Sequence, residues 1–227
     1  MKFGIFTHVP WPEGIDTRQV FRNTIQEVQY AEELGFHSAW LAEHHFSRYG
    51  IGSSCLVLAG NLAARTTRIR IGTAVLVPPL HNPIRLAEDT ATVDALSDGR
   101  LDVGFGRGTA NYEYRGYNVG REESQGRFQE SIKVIKGLWT TPEFSHQGEH
   151  YQVNRATLVP PPVQQPHPPI YIGGESEQGR RLGAKMADIF LINGRRLGEI
   201  EGIIQDVQGL AAEHGRQLRF GMSAFVI

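Results

Sequence analysis

The chain has 227 residues, 40% hydrophobic and 21% charged, enough to fill the core of one α/β-barrel-sized domain or of two small ones. Its 23 Lys and Arg nearly balance 24 Asp and Glu, so neither a nucleic-acid footprint nor a membrane-surface footprint is expected. One cysteine, Cys55, excludes an internal disulfide and a cysteine cage for zinc or iron–sulfur; no apolar run approaches the ~20 residues of a membrane span, and no signal peptide precedes the first strand, so a soluble, cytoplasmic protein is expected.

Strand-like and helix-like patterns alternate along the chain. Lys2 to His8 reads as a first strand. Asp16 can cap a helix, with Gln19 completing a capping box; Val20, Phe21, Thr24, Val28, Ala31 and Leu34 recur at helical spacing before Gly35. Ser38 to Ala42 is a second strand, and Ser53 or Ser54 opens a small-residue helix ending near Ala63. Arg68 to Val77 is a β-branched strand. Asn82 then caps a helix with Pro83 in its first position, running to about Leu96. "LDVGFGRG" is the fourth strand, and Glu122 to Trp139 the next helix.

Residues 140 to 169 break this rhythm with a hairpin-like "EFSHQGEHYQV" and a run holding six of the twelve prolines. The alternation resumes at once, which suits an ordered excursion. "PIYIGGES", "ADIFLING" and "LRFGMSAFVI" are strands five to seven, with helices from Glu177 and from Gly198 between them. Such alternation means a parallel sheet. Seven strands, and no G-x-G-x-x-G after the first, predict a single α/β domain: a (β/α)8 TIM barrel lacking its last strand and helices, C-terminally truncated because an open barrel leaves bare edges.

In such barrels the active site forms at the C-terminal strand ends. Here these ends carry Thr7-His8, Glu43-His44-His45, Thr73-Ala74-Val75, Gly106-Arg107-Gly108, Gly173-Gly174-Glu175-Ser176 and Ile192-Asn193-Gly194. Two of them suit an anion. Ser176 can cap a helix whose free N–H groups attract phosphate, and Arg107 sits between glycines that let its guanidinium approach one. The plainer alternatives are a simple cap at Ser176 and an Arg107–Glu113 ion pair. A metal at His44 and His45 is not expected, because the usual His and Asp partners on other strand ends are missing. The residues alone leave open a catalytic base with a bystander, or two structural histidines.

"MKFGIF", "WLAEHHF", "IGTAVLVPPLHNPIRLAEDTATVDALSDGRLDVGFGRG" and "IYIGGES" together closely resemble the bacterial-luciferase-like flavin monooxygenase family, from residue 1 to about 196. The resemblance implies a (β/α)8 barrel and a monooxygenase in which reduced FMN and O2 give a flavin C4a-hydroperoxide that attacks a small organic substrate. A separate reductase would supply FMNH2. It also implies His44 as general base, with Glu43 and His45 in support, and a non-proline cis peptide at Ala74-Val75 against the flavin ring. Arg107, Glu175 and Ser176 match phosphate-binding positions, with Gly106 and Gly174 beside them. Gly106 replaces the reactive cysteine of the light-emitting α subunit, which argues against a light emitter. The implied alternatives are an F420-dependent oxidoreductase and a non-catalytic flavin-binding relative. A homodimer is expected through the helices after strands two and three.

Overall fold

The computed structural model describes residues 1–174 and 176–224. Its strands are short, and Asp16, Asn82 and Ser176 cap their helices through side-chain oxygens, whereas Ser54 makes no side-chain cap bond. Strand β1 (Gly4–Thr7) is followed by α1 (Thr17–Glu33), β2 (Ser38–Leu41), α2 (Cys55–Ala63) and β3 (Arg70–Thr73). A 3-10 turn at Pro78–Leu80 leads to α3 (Pro83–Leu96), β4 (Leu101–Phe105), α4 (Asn111–Gly116) and α5 (Ser124–Thr140). The hairpin β5 (Phe144–Gln147) and β6 (Gln152–Ala156) precedes β7 (Ile170–Gly173), α6 (Glu177–Met186), β8 (Ile189–Asn193), α7 (Leu197–Ala212) and β9 (Arg219–Ser223).

The seven strands outside the hairpin form one all-parallel sheet in the order β1-β2-β3-β4-β7-β8-β9. Each strand therefore lies beside the next one in the chain, the order of a curling barrel wall rather than of a sheet wound in two directions. Among the described residues no eighth strand joins β9 to β1. What is observed is a seven-stranded half-barrel, short of the complete (β/α)8 closure. Residues 225–227 of the last predicted strand lie outside the described residues.

Local chemistry accounts for most of the elements. Asn82 Oδ1 accepts the Ile84 N–H at 2.9 Å ahead of Pro83, and Asp16 accepts the Arg18 N–H at 2.8 Å. The predicted capping box does not form: the Gln19 side-chain amide donates to Asn23 instead, at 2.6 Å. Helix α1 buries Val20, Thr24, Val28 and Ala31, and Gly35 takes the left-handed conformation beyond it. The third strand ends at Thr73, four residues before the predicted Val77, and the Ala74–Val75 peptide that follows is cis. Ile71, Leu101, Val103, Phe105, Ile170 and Ile172 meet buried faces of α2, α3 and α5 in one core. The hairpin packs on α5. Among the described residues, no helix is long and apolar enough to cross a membrane.

Candidate active site

Strand register brings the predicted site residues to one rim. Thr7 lies opposite Leu41 and Leu41 opposite Thr73, so His8, Glu43 to His45 and Ala74–Val75 follow on adjoining ends. Phe105 lies opposite Ile172, so Gly106–Arg107 and Gly173–Gly174 follow on adjoining strand ends. The cis segment ties the two halves together. Val75 C=O accepts the Glu43 N–H at 3.4 Å, and Leu76 C=O accepts the Gly106 N–H at 2.9 Å. A Cβ on Gly106 would stand 2.4 Å from Val75 Cγ2, so this position takes no larger residue while Val75 holds its place.

The adjacent histidines divide their tasks through two carboxylates. Glu43 is buried at the end of β2. Its Oε1 is 2.8 Å from His45 Nε2 and 2.7 Å from His81 Nε2, and its Oε2 accepts the Val77 N–H at 3.1 Å. Burial pushes its carboxyl pKa up, but the hydrogen bonds and charges of His45 and His81 outweigh that and hold it at about 2, against an ordinary 4.5. Burial likewise lowers His81, and the bond and charge of Glu43 outweigh it, so its pKa is raised. His45 Nδ1 meets the Tyr117 hydroxyl at 3.1 Å, which leaves the buried ring fully partnered.

Glu113, equally buried, accepts the His45 backbone N–H at 3.0 Å and lies 3.2 Å from His44 Nδ1. A carboxylate acceptor there keeps the proton on Nδ1 and leaves Nε2 as the basic nitrogen of His44. The His44 side chain is 24% exposed and that of His45 only 2%. His44 is therefore the ring available to a ligand. It stacks on His8 at 5.6 Å between centroids, and Tyr49 closes the group with its hydroxyl 3.0 Å from His8 Nε2. Burial, then the neighbouring His44, lowers the His8 pKa.

The donor atoms of Glu43, His45 and His81 fall within 4.8 Å of one another, so His45 does have the partners that the strand ends did not offer. His81 comes from beyond the 3-10 turn. The spacing is that of hydrogen bonding: two ring nitrogens meet one oxygen at 2.7 and 2.8 Å, and Oε2 is taken by a backbone donor.

On the other half of the rim, Arg107 does not pair with Glu113. Its Nη1 donates to Ser124 Oγ at 3.2 Å, its carbonyl accepts the Tyr114 hydroxyl, and it forms no ion pair among the described residues. Arg121, absent from the sequence reading, donates to Gly108 C=O at 2.9 Å and lies over the Tyr114 ring at 4.6 Å, again without an ion pair among those residues. Ser176 is the N-cap of α6, its Oγ accepting the Gly179 N–H at 3.1 Å. Arg107 and Arg121 thus carry no ion pair among the described residues, and α6 has a capped start; guanidinium groups and a helix start are donor types that suit a phosphate. Glu175 lies outside the described residues.

Comparison with known proteins shows the family. A family model described as luciferase-like monooxygenase matches residues 1–227. The oxygenase component of a flavin-dependent trigonelline monooxygenase from Acinetobacter baylyi is 32% identical over 204 residues, covering 88% of this chain and 56% of that protein. An FMNH2-dependent dimethylsulfone monooxygenase from Pseudomonas putida is 31% identical, with 88% and 56% covered. The chain spans about half the length of these curated relatives. Among solved structures, the monooxygenase RslO1 from Streptomyces bottropensis superposes with a TM-score of 0.92 at 27% identity, covering 98% of this chain and 70% of that one. An F420-dependent secondary alcohol dehydrogenase superposes at 0.82 with 21% identity, covering 97% and 68%, and so shares the fold.

Proposed function

Because the chain belongs to the luciferase-like monooxygenase family, we propose that it is the N-terminal part of a (β/α)8 barrel that oxygenates a small organic substrate with reduced FMN and O2. The observation that carries this reading is His44, part-exposed on a cleft wall and held through Nδ1 by the buried Glu113; Arg107 and Arg121, without ion pairs among the described residues, and the capped start of α6 add to it. Bound FMNH2 would supply the oxygen-activating chemistry. The chain's own residues bind, orient and exclude water.

Arg107, Arg121 and the Ser176 helix start hold the phosphate. Ala74–Val75 and Gly106 would pack against the flavin ring. His44, fixed through Nδ1 by Glu113, takes a proton at Nε2, and Glu43 holds His45 and His81 behind it. Glu175 remains assigned to the cofactor by resemblance. A separate reductase supplies the reduced flavin, as the words "oxygenase component" in one relative's name suggest for that system. A homodimer through α2 and α3 is supported by a groove of about 450 Å³ whose lining includes Leu56, Val57, Arg85, Asp89 and Leu96.

The test pairs His44→Ala with Arg107→Gln. His44→Ala keeps FMN binding and loses about 10²–10⁴-fold in substrate oxygenation. Arg107→Gln weakens FMN and leaves riboflavin binding unchanged. Oxygenation by His44→Ala at the wild-type rate would remove the general base from this scheme. Titration with reduced F420 beside FMNH2 separates the hydride-transfer alternative.

A further inference from the structure

We infer that the cleft beside His44 seats the carboxylate of a small-molecule substrate, with Arg48 as its cation. The inference rests on the oxygenase reading only in naming the ligand a substrate. The cleft has a volume of about 330 Å³, within the range of small-ligand sites. Trp11, His44, Phe46, Arg48, Ile51 and Ser53 form its walls, and no carboxylate lines it among the described residues.

Arg48 is exposed, yet it is held as few surface arginines are. Its Nε–H donates to Trp11 C=O at 3.2 Å and its Nη2–H to Pro12 C=O at 2.7 Å. The guanidinium lies over the Trp11 ring, 4.0 Å from the centroid. That ring is itself pinned, because its indole N–H donates to Ile15 C=O at 2.7 Å. The two backbones are zipped as well: Trp11 N–H donates to Arg48 C=O at 2.9 Å and Ile51 N–H to Val9 C=O at 3.0 Å.

Two carbonyls and a ring orient the guanidinium without neutralising it. Among the described residues Arg48 has no ion pair, and Nη1 has no hydrogen-bond partner. An oriented cation of this kind recognises a carboxylate at little ordering cost. Trp11, Phe46 and Ile51 add apolar walls, so the ligand class is a carboxylic acid with a ring or short apolar body. His44 then stands beside the bound molecule, where a proton acceptor is useful.

The experiment titrates the protein with benzoate and with benzamide by calorimetry. Benzoate is expected to bind about tenfold or more tightly than benzamide, and Arg48→Gln to erase that difference while sparing benzamide and FMN binding. Equal binding of the two probes, binding of neither, or an unchanged benzoate preference in Arg48→Gln overturns the assignment. So does an Arg48→Gln protein that loses affinity for FMN but not riboflavin, since Arg48 would then serve the cofactor phosphate. If Arg48→Gln does not fold, salt decides: wild-type benzoate affinity that falls with ionic strength, with benzamide unaffected, supports the seat, and an insensitive affinity refutes it. A protein that binds benzoate but no reduced FMN keeps the seat and sinks the flavin reading.

Discussion

Two buried glutamates in this molecule do similar chemistry for different ends. Glu43 gathers two imidazoles and one backbone N–H at the strand-end rim. Glu130, on α5, gathers one imidazole and two backbone N–H groups: His146 Nε2 at 3.1 Å, His150 N–H at 3.0 Å and Tyr151 N–H at 2.8 Å. In both, burial pushes the carboxyl pKa up and the donors bring it below its ordinary value. Yet Glu130 only fastens the β5–β6 turn to its helix, whereas Glu43 sits behind a histidine that lines a cleft. A carboxylate–histidine cluster is thus no marker of a site by itself. Its position on the sheet decides what it does.

Removing each carboxylate should separate the two. Glu43→Ala leaves two ring donors and the Val77 N–H without a partner in the interior. A loss of about 3–5 kcal/mol in urea unfolding is expected, together with loss of FMN binding. Glu130→Ala frees backbone groups that solvent can reach more easily. It should cost about 1–3 kcal/mol, open the hairpin to proteolysis and leave FMN affinity unchanged. Equal effects of the two variants on FMN affinity would show that the contrast drawn between them is false.

The smallest and most selective effect is the pH dependence of stability. The folded His81 pKa is raised, so its contribution is complete below the unfolded value of 6.5 and is lost as pH rises through the folded value. Glu43 is depressed, so its contribution is complete above 4.5 and is lost as pH falls through about 2. Glu130 shares the acid limb. The alkaline limb therefore reports the rim cluster, and His81→Gln should flatten it while leaving the acid limb in place. Thermal melts from about pH 2 to 9 would show whether it does.

The parallel architecture was legible because caps, helical periodicity and β-branched runs repeat in step. Asn82-Pro83, the hairpin at "EFSHQGEHYQV" and strand order all follow from short-range chemistry. The rim was legible at Glu43, His44, Arg107 and Ser176, since strand ends concentrate polar residues. Glu113 was not: it sits on α4, a six-residue helix too short to show a period, and its tie to His44 spans 69 residues of chain. His81 follows a 3-10 turn, Pro78–Leu80, between the predicted strand and the predicted helix, and its bond to Glu43 depends on the path the chain takes after Thr73. Long-range pairing of this kind has no local signature.

The sequential strand order bears on how the protein is built during synthesis. The β1–β2, β2–β3 and β3–β4 pairings all lie within the first 105 residues, and Glu43, His44, His45, His81, Glu113 and Tyr117 are all present by residue 117. Chains emerge from the ribosome at about 5–20 residues per second and fold N-terminal part first. The histidine half of the rim can therefore assemble, with its carboxylates already engaged, seconds before Ser176 emerges. Assembly in this molecule can then run in the same direction as translation, the histidine cluster preceding the Ser176 helix start.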